Sequence, residues 1–357
     1  MIHNVYDKLI SLENILICWN EFKKGKSKKY DVMEFERYLE DNIFKLHNEL
    51  VNQTYRHSPY EKFHIYDPKH RIIHKAEVKD RLVHHVVFKE LYGIFNPTFI
   101  YHSYSSRDNR GTHLAVKNSS NILRETSNNY TKPVYALKCD IKKFFHSVSH
   151  QKLFEIIKNR VNDPKFLWLV WEIISSFSII VDNFPQRERE RELKESFSEK
   201  RGLPIGNLTS QIFANIFLDK FDWFIKKQLR IKYYFRYVDD FVIINPNPEY
   251  LKGLIEPIED FLNTKLDLKL HPQKVEIRKF RQGIDFLGYV VLPYYIALRT
   301  KTKRRMFKKI KFNKEKLEQG LMSKESFNQS LQSYYGILKH CNSHKLKTEL
   351  DEFIKNL

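Results

Sequence analysis

The chain has 357 residues, 42% of them hydrophobic, with 27 Phe, 20 Tyr and 4 Trp, enough apolar material to bury a sizeable core and too much for a disordered chain. Lys and Arg outnumber Asp and Glu by 62 to 43, a net charge of +19, which suits a polyanionic partner, nucleic acid first and an anionic membrane surface second. Cys18, Cys139 and Cys341 are odd in number, widely spaced and free of any Cys-x-x-Cys pair, which excludes a disulfide framework or a zinc site and suits a reducing cytoplasm.

Asp7 and Glu13 interrupt the first apolar stretch, so it does not read as a signal peptide. Residues 1–55 read as helices, with Val32, Phe35, Leu39, Ile43, Leu46 and Leu50 at helical spacing. From Tyr60 the pattern shifts to short extended pieces broken at Pro59, Asp67-Pro68 and Asn96-Pro97. Between these breaks, Lys79 to Tyr92 reads as a helix burying Leu82, Val86 and Leu91 or Tyr92. Val134 to Ile141 reads as a strand closed by Asp140, followed by helices near 151–160 and 165–181. The apolar run Phe166–Val181 is interrupted by Glu172 and too short to span a bilayer. Alternating charges over 186–201 read as a solvated helix or loop.

Gly202-Leu203-Pro204-Ile205-Gly206 is a turn-rich entry to a helix expected over about 209–229. Tyr234 to Ile244 reads as two short strands with Asp239-Asp240 at the turn between them. A helix over about 248–265 and strands near 274–278 and 284–291 follow. The last sixty residues read as basic helices, opening with Lys301, Lys303, Arg304, Arg305, Lys308, Lys309 and Lys311.

The acidic pair is the feature local geometry does not explain. Two-residue hairpin turns favour Asn-Gly or Asp-Gly, and adjacent carboxylates repel. Alone, the pair could be a solvated turn, and Asp140 a strand-end cap. If their strands are neighbours, however, three carboxylates converge, which is costly unless a cation neutralises them. Mg²⁺, with its preference for carboxylate, phosphate and water oxygens, is the natural candidate, and a pair of such ions serves phosphoryl transfer.

Arg71-Ile72-Ile73 with Asp80-Arg81, Asp140-Ile141-Lys142-Lys143-Phe144-Phe145, Gly202–Gly206 and Tyr237-Val238-Asp239-Asp240 stand in the order found in reverse transcriptases. Leu270-His271-Pro272-Gln273-Lys274 and Phe286-Leu287-Gly288-Tyr289 continue the series. The chain resembles that family from about residue 60 to 292. In detail, Ile205-Gly206-Asn207-Leu208-Thr209-Ser210-Gln211 resembles the form in diversity-generating retroelements, where most other members have Gln and Pro at the positions of Ile205 and Gln211. The resemblance implies an α+β right-hand polymerase fold with a ferredoxin-like antiparallel palm sheet. Residues 1–133 would be N-terminal helices and fingers, 134–292 the palm, and 293–357 a basic helical thumb.

The resemblance also implies roles. Asp140 and Asp239 would hold two Mg²⁺ ions, with Mn²⁺ an acceptable substitute, aided by the carbonyl of Ile141 and by Asp240 as a third carboxylate. Lys274 would protonate the leaving pyrophosphate or simply bind phosphate. Arg71, with Lys69, would grip the incoming triphosphate, and Phe145 would be the gate that excludes a ribose 2′-hydroxyl. Gly206 would let backbone approach a base pair. Ile205, replacing an amide that braces the nucleotide in relatives, would loosen base selection, while Gln211 completes the variant motif. The implied partners are template RNA, the RNA/cDNA duplex, dNTPs and a small basic accessory protein, with no membrane. The alternatives are a retron-, antiphage- or intron-type reverse transcriptase, or a non-catalytic nucleic-acid-binding scaffold. Nothing resembles an appended endonuclease or a long maturase domain.

Overall fold

The computed structural model describes residues 2–67, 69–178 and 200–355. The charged run at 186–199 and the end of the helix expected over 165–181 lie outside the described residues. The chain divides into two compact units. One comprises Met1–Ser106, Ile141–Arg230 and Pro257–His271; the other comprises Arg107–Asp140, Ile231–Glu256 and Pro272–Leu357.

The first unit is mainly helical. It opens with α1 (Tyr6–Leu9), α2 (Leu12–Phe22), α3 (Tyr30–Arg37) and α4 (Leu39–Val51), which bury Val32, Ile43, Leu46 and Leu50 from the anticipated apolar stripe. Strands β1 (Glu61–Ile65) and β2 (Arg71–Lys75) form an antiparallel hairpin. The following helix, α5 (Val78–Phe95), is longer than the periodicity suggests. It also buries Val83, His84 and Val87 beyond the anticipated side, because α2 and the long α10 (Leu208–Trp223) both pack against it. Asp80 is fully buried and accepts hydrogen bonds from the Tyr55 hydroxyl at 2.6 Å and the Ser58 amide at 3.1 Å, while Arg81 pairs with Asp31. Helix α9 (Pro164–Ser175) begins at a proline behind the Asp163 cap, whose carboxylate accepts from the Phe166 amide.

The second unit is organised around a four-stranded antiparallel sheet, in the order β4 (Tyr234–Tyr237), β5 (Asp240–Asn245), β3 (Tyr135–Asp140), β6 (Glu276–Lys279). Helices α6 (Thr112–Thr126) and α11 (Pro248–Gly253) pack against it. The helix expected over 248–265 is two: α11 ends at Gly253, and α12 (Ile255–Leu266) starts afresh. The single strand expected over 284–291 is a hairpin, β7 (Ile284–Phe286) and β8 (Tyr289–Val291), extended by β9 (Ile296–Leu298). Leu287 and Gly288 both have positive φ, +51° and +88°, the requirement of a tight hairpin turn. The C-terminal helices α13 (Thr300–Glu318), α14 (Lys324–Leu338) and α15 (His344–Lys355) share a core of Met306, Ile310, Phe327, Leu331, Leu338 and Leu350. Arg304, Arg305, Lys308, Lys309 and Lys311 are exposed, away from the buried Met306 and Ile310.

The Gly202–Gly206 turn docks on β2. The Ile205 carbonyl accepts from the His74 amide at 3.0 Å, and Asn207 Nδ2 donates to the His74 carbonyl at 2.7 Å. Gly206 sits at φ +113°, where a Cβ would lie 2.6 Å from Ile73 Cγ2. Backbone conformation and space both demand glycine. Gly206→Ala should therefore destabilise the chain by more than about 1 kcal/mol, read as a lowered denaturant midpoint; an unshifted midpoint would contradict this account.

Candidate active site

Strand β3 runs antiparallel to β5 with Asp140 directly opposite Asp240. Directly opposed residues of an antiparallel pair project to the same face, so two carboxylates from positions a hundred residues apart share one end of the sheet. Tyr237 pairs with Asp240 across the β4–β5 hairpin, which makes Val238 and Asp239 the two turn residues. The anticipated Asp239-Asp240 turn is therefore displaced by one: Asp240 is the first residue of a strand, and only Asp239 stands on the turn.

The positive φ of that turn falls on Val238, at +55°. A β-branched residue there is a genuine outlier, and such strain costs on the order of 1–3 kcal/mol. Arg236 offsets it. This arginine is fully buried, and its Nη1 donates to the Val238 carbonyl at 3.1 Å.

Asp240 is held in a setting that disfavours its charge. Burial pushes its carboxyl up to about 6, with the charges of Asp140, Asp239 and Asp285 adding to the effect and Lys138 opposing it. Its Oδ1 is buried without a hydrogen-bond partner among the described residues, as is Oδ1 of Asp285. The other oxygen of Asp285 meets Arg299 Nε at 2.8 Å. Lys274 donates from Nζ to Asp140 Oδ2 at 2.8 Å. An ammonium thus meets one of the clustered carboxylates, where a cation would be welcome.

Among the described residues, no three His, Cys, Asp or Glu side chains already stand arranged around a metal position. The donor chemistry nevertheless fits a hard divalent cation: clustered carboxylates, one with an orphaned buried oxygen, and no sulfur or imidazole among them.

The remaining sequence candidates lie in the first unit. Arg71 opens β2 beside the hairpin loop, and both it and Lys69 are exposed. The Ile141 backbone bridges Leu270. Phe144 is buried, whereas Phe145 is half-buried, with the two rings edge-to-face at 5.4 Å. The structure brings Ile205 and Gly206 against Ile73 and His74, on the same strand as Arg71. Gln211, exposed in the first turn of α10, accepts from Ser106 Oγ at 2.9 Å.

A profile described as reverse transcriptase (RNA-dependent DNA polymerase) matches residues 63–291, well over half of the chain. The chain belongs to the reverse transcriptase family. Its enzyme class is that of the family, an RNA-directed DNA polymerase, and its fold is the family's right-hand polymerase fold. This reverse transcriptase is 24% identical to protein YkfC of Escherichia coli over 68% of this chain and 69% of that one. It is 22% identical to the group II intron-encoded protein LtrA of Lactococcus lactis, over 71% of this chain and 50% of that one. With the putative COX1/OXI3 intron 2 protein of Saccharomyces cerevisiae the identity is 21%, over 80% of this chain and 38% of that one. The chain thus spans half or less of the length of these two intron proteins. Among solved structures it is similar to apo telomerase from Candida tropicalis, with a TM-score of 0.45 and 14% identity over 71% of this chain and 51% of that one.

Three residues of this reverse transcriptase's acidic cluster escape sequence reasoning: Arg236, Lys138 and Asp285. Lys138 had a signal, since it lies two positions before Asp140 and so on the same strand face. Asp285, flanked by the buried Ile284 and Phe286, had one too. Arg236 had the same signal, lying between the buried Phe235 and the half-buried Tyr237.

The raised Asp240 carboxyl has a thermodynamic sign. Its folded-state value lies above the ordinary 3.8, so the native state binds the extra proton. Stability from this group is present at low pH and lost as pH rises from about 4 to about 6. Asp240→Asn should therefore raise the melting temperature in EDTA at pH 7, with the gain vanishing near pH 4. A variant that melts below the parent at pH 7 would refute the assignment.

Proposed function

We propose that the chain is the polymerase of a diversity-generating retroelement, making error-prone cDNA from the element's template RNA for targeted mutagenesis of a variable protein gene. The observation that carries the polymerase chemistry is the register of β3 on β5, which sets Asp140 against Asp240 beside Asp239. The subtype rests on Ile205 and Gln211 in the segment Ile205–Gln211. A second reading, an intron-type reverse transcriptase, is favoured by the likeness to LtrA. A neighbouring pair of near-identical repeats differing where one has adenine would decide for the retroelement.

On this reading Asp140, Asp239 and the Ile141 carbonyl would hold two Mg²⁺ ions, or Mn²⁺ in their place, with Asp240 as the supporting carboxylate. When bound, such ions activate the primer 3′-hydroxyl and neutralise the leaving pyrophosphate. That hydroxyl releases its proton to solvent water, and its oxygen bonds to the α-phosphorus as the bond to pyrophosphate breaks. Lys274 hands the pyrophosphate a proton from Nζ, after releasing Asp140. In the first unit, Arg71 and Lys69 grip the triphosphate, Phe145 excludes a 2′-hydroxyl, and Gly206, Ile205 and Gln211 line the path of the nucleotide. Ile205 offers the base pair no amide, so selection loosens and errors concentrate opposite template adenines.

We assign residues 1–133 to N-terminal helices and fingers, 134–292 to the palm and 293–357 to the thumb. A small basic accessory protein and the structured template RNA are the partners proposed, in the cytoplasm. Among the described residues no helix is long and apolar enough to cross a membrane.

Magnesium-dependent dNTP incorporation on an RNA template should fall at least about a thousandfold in Asp239→Ala, about 4 kcal/mol in barrier; wild-type inactivity with dNTPs would instead favour a binding scaffold. Sequenced cDNA from Ile205→Gln should show fewer errors opposite adenine, and an unaltered error spectrum would remove Ile205 as their cause.

A further inference from the structure

The first unit contains a cavity with a chemistry of its own. It measures about 540 Å³ and is bounded by the segment 97–101, Arg160, Trp223 and Lys227. Phe99 and Ile100 are its buried apolar residues, whereas Tyr101 is 55% exposed and Trp223 37% exposed. No carboxylate lines it among the described residues, and the acid that reaches Arg160, Asp219, does so only at 4.0 Å.

The walls are held in place. Trp223 Nε1 donates to the Thr98 carbonyl at 3.2 Å, which sets the indole plane. Lys227 Nζ lies 4.6 Å from the centre of that ring. Lys227 belongs to a π-helical turn, Phe224–Gln228, that continues α10. Such turns are rare and gather at functional sites. Two cations, two accessible aromatic rings and a volume within the range of small-ligand sites form one arrangement. Bases stack on aromatic rings whatever their identity, and phosphates pair with Lys and Arg.

We propose that this cavity is a second binding site for single-stranded RNA, with a base packed against Tyr101 and Trp223 and its phosphate paired with Arg160 and Lys227. The site needs no catalysis, so it stands or falls separately from the polymerase reading. Its use would be to retain a stretch of transcript that is not being copied. The cation–aromatic pairing makes binding tolerant of sequence and sensitive to salt.

The test uses the full chain and a labelled oligouridylate of about ten residues carrying 4-thiouridine. In wild type, cross-links should fall on peptides containing Tyr101 or Trp223. In Tyr101→Ala with Lys227→Ala, those cross-links should disappear and the Kd should rise about tenfold or more. Tyr101→Phe with Lys227→Arg should restore both. Extension of a short annealed template–primer should stay unchanged in every variant. Cross-links that map elsewhere, or a Kd unmoved by the alanine pair, overturn the proposal. So does equal loss in the alanine and conservative pairs, which marks a damaged fold. Binding of an acidic aromatic peptide by wild type and not by the alanine pair, with oligouridylate binding intact, assigns the cavity to a protein partner and likewise overturns it.

Discussion

The second unit depends on one register. Pairing β3 with β5 so that Cys139 faces Phe241 and Asp140 faces Asp240 buries the apolar run Phe241–Ile244 and leaves the acids at the sheet's end. Because Phe241–Ile244 is buried on both faces, a slip of one residue would cost this run little, but it would turn Asp240 to the face opposite Asp140. Like charges in a partly buried place destabilise the fold. The protein tolerates them through Lys274 on Asp140 and Lys138 near Asp240, and below about pH 6 also through protonation of Asp240. Bound divalent cations would replace that makeshift compensation with a stronger one.

The turn carrying Asp239 shows the same trade between stability and placement. A glycine in place of Val238 would relax the backbone but free the turn. A strained valine, braced through its carbonyl by the buried Arg236, presents the next residue in one conformation. Strain at a turn beside clustered acids is what a site requiring placement accepts. Repulsion at the acids and strain at the turn therefore have one explanation in the need to position oxygens.

In the first unit, one backbone carbonyl and one side-chain amide do the docking. The Ile205 carbonyl and the Asn207 side-chain Nδ2 both engage the His74 backbone, and Gly206 leaves no room for a side chain against Ile73. None of these contacts uses the Ile205 side chain. Position 205 can therefore change between an apolar group and an amide without undoing the turn.

The order of motifs from Arg71 to Tyr289 was legible in the sequence, and so were the helical N-terminus, the strand ending in Asp140 and the basic amphipathic C-terminus. Each of these rests on local period, turn residues or spacing, which a chain displays before it folds. Neighbours absent from the local sequence were not legible. The burial of α5 on several sides came from α2 and α10, and the hairpin within 284–291 was hidden because three-residue strands carry little periodicity. The turn at Val238 was misplaced by one residue because propensity disfavours valine there, and a buried arginine overrides propensity. Sequence alone therefore determined which acids the chain contains and in what order. Tertiary structure decided that Asp140 opposes Asp240 and that the Asp240 carboxyl is pushed up to about 6, since pairing, burial and the fields of neighbouring charges exist only once distant strands lie side by side.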